Sequence, residues 1–296
     1  MKKVLLTGSN GQLGRALRKE LANDKKIELI LTDILHEDHE NNNTIINLDI
    51  SNRDNVDSII KEYKPEIIIN CAAMTAVDLC ETQTQLAFNI NALGVKYLAE
   101  AAKLYKSMLF QISTDYVFDG ENDIPYIESD KPTPRSVYGE TKLQGEKYAS
   151  EINDRTYIMR TAWLYGEGKN FVETMLMLSD KGSDIRVVED QFGSPTSAIE
   201  LARAIVYIIG SKESHYGVYH ATAEGETSWY GFAKEIFKIS NKETKVKPIT
   251  TSEYPTPARR PRYSVLENKA LLENYNYKMK DWKEGLREYF KDVKLH

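Results

Sequence analysis

The feature that most constrains this chain is the segment Val4-Leu5-Leu6-Thr7-Gly8-Ser9-Asn10-Gly11-Gln12-Leu13-Gly14, where an apolar run breaks into glycines at every third position and a helical pattern follows. An extended run that ends in a glycine turn and opens a helix is the first half of a strand-helix-strand unit. The pattern then repeats. Strand-like runs at 3–7, 27–32, 44–48, 66–70, 107–112 and 156–160 alternate with helical patterns at 12–23, 53–63, 83–105 and 135–151. Within them Glu66-Ile-Ile-Ile-Asn70, preceded by Pro65, is apolar without alternation, as expected for a strand covered on both faces.

These periods predict an α/β fold, a doubly wound parallel sheet of the Rossmann type with a smaller C-terminal α/β lobe for substrate. Beyond about residue 165 the alternation loosens into a helix near 170–180, a strand near 184–188, and helices near 196–209 and 229–239. The proline-rich stretch Tyr254-Pro-Thr-Pro-Ala-Arg-Arg-Pro-Arg262 and a last helix near 280–291 complete the chain. The expected division is a dinucleotide-binding domain over 1–165 and a substrate lobe over most of 166–296, with some segments returning to the main sheet. That lobe is expected to close over the C-terminal edge of the strands, where open α/β sheets bind ligands. The tract His36-Glu-Asp-His-Glu-Asn-Asn-Asn43 reads as a solvated loop, and its two histidines have no apolar support for holding a metal.

A net charge of −5 argues against nonspecific nucleic-acid binding, which depends on a basic surface. No window holds the ~18 to 20 consecutive apolar residues of a membrane span. The first residues stop being apolar too soon for a signal peptide and read as a strand. Cys71 and Cys80 lack metal-ligand company in the sequence, and a chain of 296 residues does not need stapling, so reduced thiols in a cytoplasm are expected.

Gly8, Asn10, Gly11, Gln12, Leu13 and Gly14 place backbone N–H groups and a positive helix end where a pyrophosphate can lie. Asp33 ends the second strand about 20 residues beyond Gly14, the position from which a carboxylate meets an adenosine ribose. Asp49 and Ile50 follow the third strand, and Cys71, Ala72, Ala73 and Thr75 follow the fourth, where adenine and phosphates pass. The expected cofactor is NADPH or NADH. Asp33 favours NADH by repelling a 2′-phosphate, and Arg15 or Arg18 can compensate, so the preference stays open at this point.

The spacing Tyr-x-x-x-Lys occurs at Tyr138/Lys142, Tyr165/Lys169 and Tyr230/Lys234, so the motif alone selects nothing. Gly166 and Gly168 disfavour a helix at the second, and the third falls in the later lobe. Tyr138/Lys142 follows Ser113-Thr114-Asp115 at a strand end within the nucleotide-binding half. A phenol one helical turn from an ammonium can protonate a carbonyl oxygen as hydride arrives, with Thr114 orienting that oxygen. The ammonium is expected to lower the phenol pKa and to reach the nicotinamide ribose. No metal is required.

Several blocks in order, Cys71-Ala-Ala-Met-Thr-Ala-Val-Asp78, Ser113-Thr-Asp-Tyr-Val-Phe118, Tyr138-Gly-Glu-Thr-Lys-Leu-Gln-Gly-Glu146, Arg160-Thr-Ala-Trp-Leu-Tyr165, Asp190-Gln-Phe-Gly-Ser-Pro-Thr196 and Tyr254-Pro-Thr-Pro-Ala-Arg-Arg-Pro261, resemble the extended short-chain dehydrogenases and, within them, the dTDP-4-dehydrorhamnose reductases. The resemblance spans nearly the whole chain. It implies reduction of the 4-keto group of dTDP-4-dehydro-β-L-rhamnose, a dTDP-linked 4-keto-6-deoxy sugar, with Tyr138 as proton donor, Lys142 as its partner and Thr114 with Asp115 on the sugar. It also implies Trp163 against the hexose and an arginine of the set 259, 260 and 262, Arg260 first, at the diphosphate. It allows a homodimer. Some members carry a divalent ion at a dimer contact, and no residue here is assigned to one. Two other readings share the fold: a nucleotide-sugar epimerase or dehydratase that retains its NAD, and a regulatory subunit that binds NADP without turnover. The single Asp115 after Thr114 weighs against a dehydratase, and the intact phenol and ammonium weigh against a scaffold.

Overall fold

The computed structural model describes residues 1–34 and 45–294; the histidine-containing tract 36–43 and His296 lie outside them. The first half runs β1 (Lys2–Thr7), α1 (Gln12–Ala22), β2 (Ile27–Asp33), β3 (Ile45–Asn47), α2 (Arg53–Tyr63), β4 (Ile67–Asn70), α3 (Val77–Thr82), α4 (Thr84–Phe88), α5 (Val95–Tyr105), β5 (Met108–Thr114), α6 (Val137–Ile152) and β6 (Thr156–Thr161). The second half runs β7 (Leu164–Tyr165), α7 (Phe171–Asp180), β8 (Ile185–Val188), β9 (Phe192–Gly193), β10 (Thr196–Ser197), α8 (Ala198–Gly210), β11 (Gly217–His220), β12 (Thr227–Ser228), α9 (Trp229–Ile239), β13 (Val246–Ile249), α10 (Lys269–Tyr275) and α11 (Trp282–Lys294).

Seven strands form one parallel sheet in the order β11-β6-β5-β4-β1-β2-β3. The alternating signs of successive residues decide its layers, because neighbours along a strand point to opposite faces. Val4 and Leu6 join Leu13, Leu17 and Leu21 of α1 and Leu201 and Ile205 of α8 on one face. Leu5 joins Ile60 of α2 and Val95 and Leu98 of α5 on the other. All of these are almost wholly withdrawn from solvent, and each large aliphatic side chain so buried contributes about 1.5–3 kcal/mol. A third cluster, with Val172, Ile185, Phe232, Ile236 and Leu286, is the core of the smaller C-terminal unit. Among the described residues no helix is long and apolar enough to cross a membrane.

Two departures from the sequence expectation have physical causes. The helix expected over 83–105 is interrupted by a π-helical turn at Asn89–Gly94. There Asn91 is buried and trades hydrogen bonds with the main chain of Met74, and a side chain on Gly94 would press on Ile50. Strand β11 was absent from the sequence expectation, since four residues of mixed burial carry little period. It nevertheless extends the main sheet by pairing with β6.

The direction of strand order reverses between β1 and β4, which leaves a crevice at their C-terminal ends. A polar seam crosses the floor of that crevice. Thr7 donates to Asn70 Oδ1 at 2.5 Å, Asn70 Nδ2 donates to Gln111 Oε1 at 2.7 Å, and Thr7 Oγ1 accepts from the Ala72 N–H at 3.3 Å. These bonds hold the ends of β1, β4 and β5 at fixed height, and the candidate site stands on them.

Candidate active site

A cleft of about 650 Å³ lies along this crevice. Of the residues singled out from the sequence, Gly8, Gly11, Gln12, Leu13, Gly14, Asp33, Asp49, Ile50, Cys71, Ala72, Ala73, Thr75, Thr114, Asp115, Tyr138, Lys142, Trp163 and Arg260 all line it. Asn10 does not. Its N–H donates to Asp33 Oδ2 at 2.7 Å and its side-chain oxygen accepts from Arg18 at 3.2 Å, so it braces the turn from outside.

The turn after β1 is tight because Gly14 sits directly beneath it: a Cβ there would lie 2.2 Å from the Gly8 carbonyl oxygen and 2.7 Å from Ser9. Helix α1 begins at Gly11 with no side chain capping it and no acidic residue in its first turn. Uncapped N–H groups at a helix start, with no competing carboxylate, suit the diphosphate of a dinucleotide. Asp33 lies beside them, its second oxygen accepting from the Ile34 N–H at 2.8 Å. These residues fit the cofactor that the strand-turn-helix pattern calls for.

At the other end of the cleft, β5 runs out at Thr114, whose hydroxyl donates to Asp115 Oδ1 at 2.9 Å and accepts from the Tyr116 N–H at 3.1 Å. Helix α6 starts just above. Ser136 caps it by accepting from the Gly139 N–H at 3.1 Å, and Glu81 accepts from the Val137 N–H at 2.9 Å. Gly139 lets the helix lie directly on the Tyr116 turn, since a Cβ there would fall 2.1 Å from the Tyr116 carbonyl oxygen. That approach carries Tyr138 over Thr114, and the two hydroxyls interact.

The electrostatics differ from the sequence expectation at one point. Burial pushes the Tyr138 phenol well above its ordinary pKa, with Thr114 opposing the rise and Asp115 and Tyr116 adding to it; Lys142 is not among the main groups acting on it. Lys142 Nζ donates instead to the Ile112 carbonyl at 2.5 Å. Burial lowers Lys142 to about 8, against the opposing pull of Glu146 and Cys71. Asp115 is pushed up to about 6 by burial, with its hydrogen bonds holding it lower than burial alone would.

The structure divides the three arginines of the proline-rich stretch. Arg260 reaches the cleft, donating to Asp78 at 2.8 Å and to the Tyr116 hydroxyl at 3.2 Å, whereas Arg259 pairs with Glu121 and Arg262 with Asp123. Trp163 is half-buried and takes a left-handed backbone conformation, φ 48°, which few large side chains adopt. It is held there by Trp229, whose ring stacks on it with centroids 3.5 Å apart and planes 6° from parallel. Trp229 also lines the cleft and was invisible in the sequence, because only folding brings it beside Trp163. The competing Tyr-x-x-x-Lys pairs lie elsewhere: Tyr165 is buried against Tyr289 and Phe232, and Lys234 sits over the Tyr230 ring on α9. Cys71 and Cys80 are both free thiols.

A parallel α/β sheet with an uncapped glycine turn at its switch point, and a tyrosine, a lysine and a threonine at the far end of the same cleft, defines a nicotinamide-dinucleotide-dependent oxidoreductase of the short-chain kind. Three comparisons narrow that class. The family model described as the RmlD substrate binding domain matches residues 1–295. A curated dTDP-4-dehydrorhamnose reductase from Aggregatibacter actinomycetemcomitans is 39% identical over 298 residues, covering 97% of this chain and 98% of the relative. The solved structure of a dTDP-4-dehydrorhamnose reductase from Clostridium acetobutylicum is 47% identical with a TM-score of 0.91, covering 99% of both chains. Another, from Bacillus anthracis in complex with NADP, is 38% identical with a TM-score of 0.90, covering 99% of this chain and 100% of that one. The chain belongs to the dTDP-4-dehydrorhamnose reductase family, and it is an enzyme.

Proposed function

We propose that the protein reduces the C4 ketone of dTDP-4-dehydro-β-L-rhamnose to give dTDP-L-rhamnose, with NADPH or NADH as reductant and Tyr138 as proton donor. The observation that carries this reading is the placement of Tyr138 over Thr114 at one end of the cleft whose other end is the uncapped turn. When bound, the dihydronicotinamide supplies the hydride. Gly11, Gln12 and Leu13 would hold its diphosphate through the start of α1, Asp33 the adenosine ribose, and Lys142 the ribose next to the nicotinamide.

The residues around the ketone have separable tasks. Thr114, anchored by the Tyr116 N–H, would turn its one hydroxyl proton from Asp115 to the carbonyl oxygen when the ketone binds. Burial favours the neutral form of the Tyr138 phenol. In that form it carries the proton and gives it up as the oxygen beside it becomes an alkoxide, a stronger base than a phenolate. Trp163 and Trp229 supply a flat apolar wall for the hexose and exclude water from that side. Arg260, held by Asp78, offers a guanidinium to the nucleotide diphosphate.

The test is turnover of that keto sugar, followed by loss of the dihydronicotinamide absorbance with either cofactor. Tyr138→Phe removes only the hydroxyl and is expected to lower kcat by about 10²–10⁴ while cofactor binding is kept. Full turnover by the Phe variant removes Tyr138 as the acid. Purified protein that retains oxidised cofactor and leaves the keto sugar unreduced points instead to an epimerase.

A further inference from the structure

Behind Lys142 lies a buried group of side chains with no part in the steps above. Glu146 follows Lys142 by four residues on α6 and so shares its face of the helix. Its carboxylate is gripped by Arg160 of β6, with Nε at 2.9 Å from one oxygen and Nη2 at 2.7 Å from the other. Ser113 of β5 donates to the same carboxylate at 2.5 Å. Ser113, Glu146 and Arg160 are each only 3% exposed, as deep as core residues. Arg160 lies over the Phe118 ring, 5.1 Å from its centroid, which fixes the guanidinium from the other side.

Three elements thus converge on one carboxylate. Ser113 is the residue between Ile112, whose carbonyl holds Lys142, and Thr114, which faces Tyr138. A bidentate arginine pair is an expensive thing to bury, since both ions lose their hydration, and well-packed apolar residues in its place are often as stable or more so. An ion pair in such a position needs a reason other than stability. The adjacent ammonium supplies one: a lysine surrounded by β4, β5 and α6 loses its proton readily unless a negative charge stands close by.

We propose that Glu146 is a positioning residue that keeps Lys142 protonated in its buried seat, with Arg160 and Ser113 holding the carboxylate where it does so. The proposal rests on the reading of Lys142 as the residue that holds the ribose next to the nicotinamide. The titratable groups acting on Lys142 are Glu146 from its own helix and the Cys71 thiol from the end of β4. Arg160 of β6 stands behind Glu146, and Asp115 and Tyr116, in the turn after β5, act on Tyr138. Cys71 is itself pushed far up by burial and so stays a neutral thiol, which leaves Glu146 as the anion that matters.

The experiment is a titration of Lys142 in the full chain with carbon-13 at lysine Cε, its resonance assigned by its absence in Lys142→Met. The wild-type midpoint is expected near 8. In Glu146→Gln the midpoint is expected to fall by about one pH unit, the size of one charge at helical i, i+4 distance in a partly polarisable interior. Because that variant strands the Arg160 charge, Glu146→Gln with Arg160→Gln is measured too, and its midpoint is expected to remain below the wild-type value. A midpoint unchanged in folded Glu146→Gln, or in the double variant where the single one fails to fold, overturns the proposal. The titration is read without substrate or cofactor, so its outcome is separate from turnover: failure of the wild type to reduce the keto sugar condemns the functional reading and leaves the midpoints to be judged alone. Where turnover is seen, the alkaline limb of the kcat profile is expected to move down with the midpoint, a change that loss of packing alone does not produce.

Discussion

Lys142 makes folding and turnover respond to pH in opposite directions. Burial lowers its pKa from 10.5 to about 8. Between those values the unfolded chain binds a proton that the folded protein has released, so this group's contribution to stability rises with pH across the window and is flat below it. The whole gap corresponds to roughly 3 kcal/mol of unfavourable burial, present in full below about pH 8 and relieved as the pH approaches the unfolded value. Lys142→Met removes the ionisation and keeps most of the volume. The loss of the bond to the Ile112 carbonyl is a constant offset, independent of pH. Urea unfolding of wild type and variant is expected to show a stability difference, variant minus wild type, that shrinks by roughly 2 kcal/mol between about pH 7 and pH 9.5. Taking the difference cancels the buried tyrosines, among them Tyr157, Tyr165 and Tyr289, whose raised pKa values penalise the folded state in base. Turnover of the wild type falls over the same range, as the ammonium is lost. A stability difference that does not change with pH refutes the reasoning, because it means that Lys142 titrates in the folded protein as it does in the unfolded chain, its ammonium effectively solvated.

Two other substitutions probe the opposite end of the cleft. Gly14→Ala places a methyl group 2.2 Å from the Gly8 oxygen, so the helix must retreat by about 1 Å and NADPH affinity, measured by calorimetry, is expected to drop by at least about 100-fold; binding within threefold of wild type contradicts the close fit of turn and helix. Asp33→Asn keeps the shape but removes the charge beside the adenosine ribose, and the ratio of kcat/KM for NADPH over NADH is expected to rise by about tenfold; an unchanged ratio places the 2′-phosphate away from Asp33.

The α/β class and the cofactor end of the site were legible in the residues because both arise from local rules. Apolar runs such as Glu66-Ile-Ile-Ile-Asn70 declare a doubly covered strand, and the Gly8, Gly11, Gly14 spacing declares a backbone that must approach something closely. The tyrosine and lysine could be chosen from three identical spacings only by their position after a strand end, and neither of the other two pairs is among the residues lining the cleft. Strand β11 gave no readable signal, since its four residues acquire their meaning from pairing with β6. Trp229 was missed for the same kind of reason: nothing near it in the chain distinguishes an aromatic at the start of a helix from an ordinary core residue.

By itself the sequence determined which segments become strands and helices, where the backbone must turn on glycine, and which residue types could move a proton, because these follow from side-chain period, volume and acidity along a few consecutive residues. Tertiary structure alone decided the ionisation of those groups and their company. The Tyr138 phenol rises because burial dominates, and Lys142 bonds to the Ile112 carbonyl. Arg260 enters the cleft while Arg259 and Arg262 turn to surface carboxylates. Charge, desolvation and ring stacking depend on what lies within a few ångströms in space, and that distance is set only when strands and helices remote in sequence have packed together.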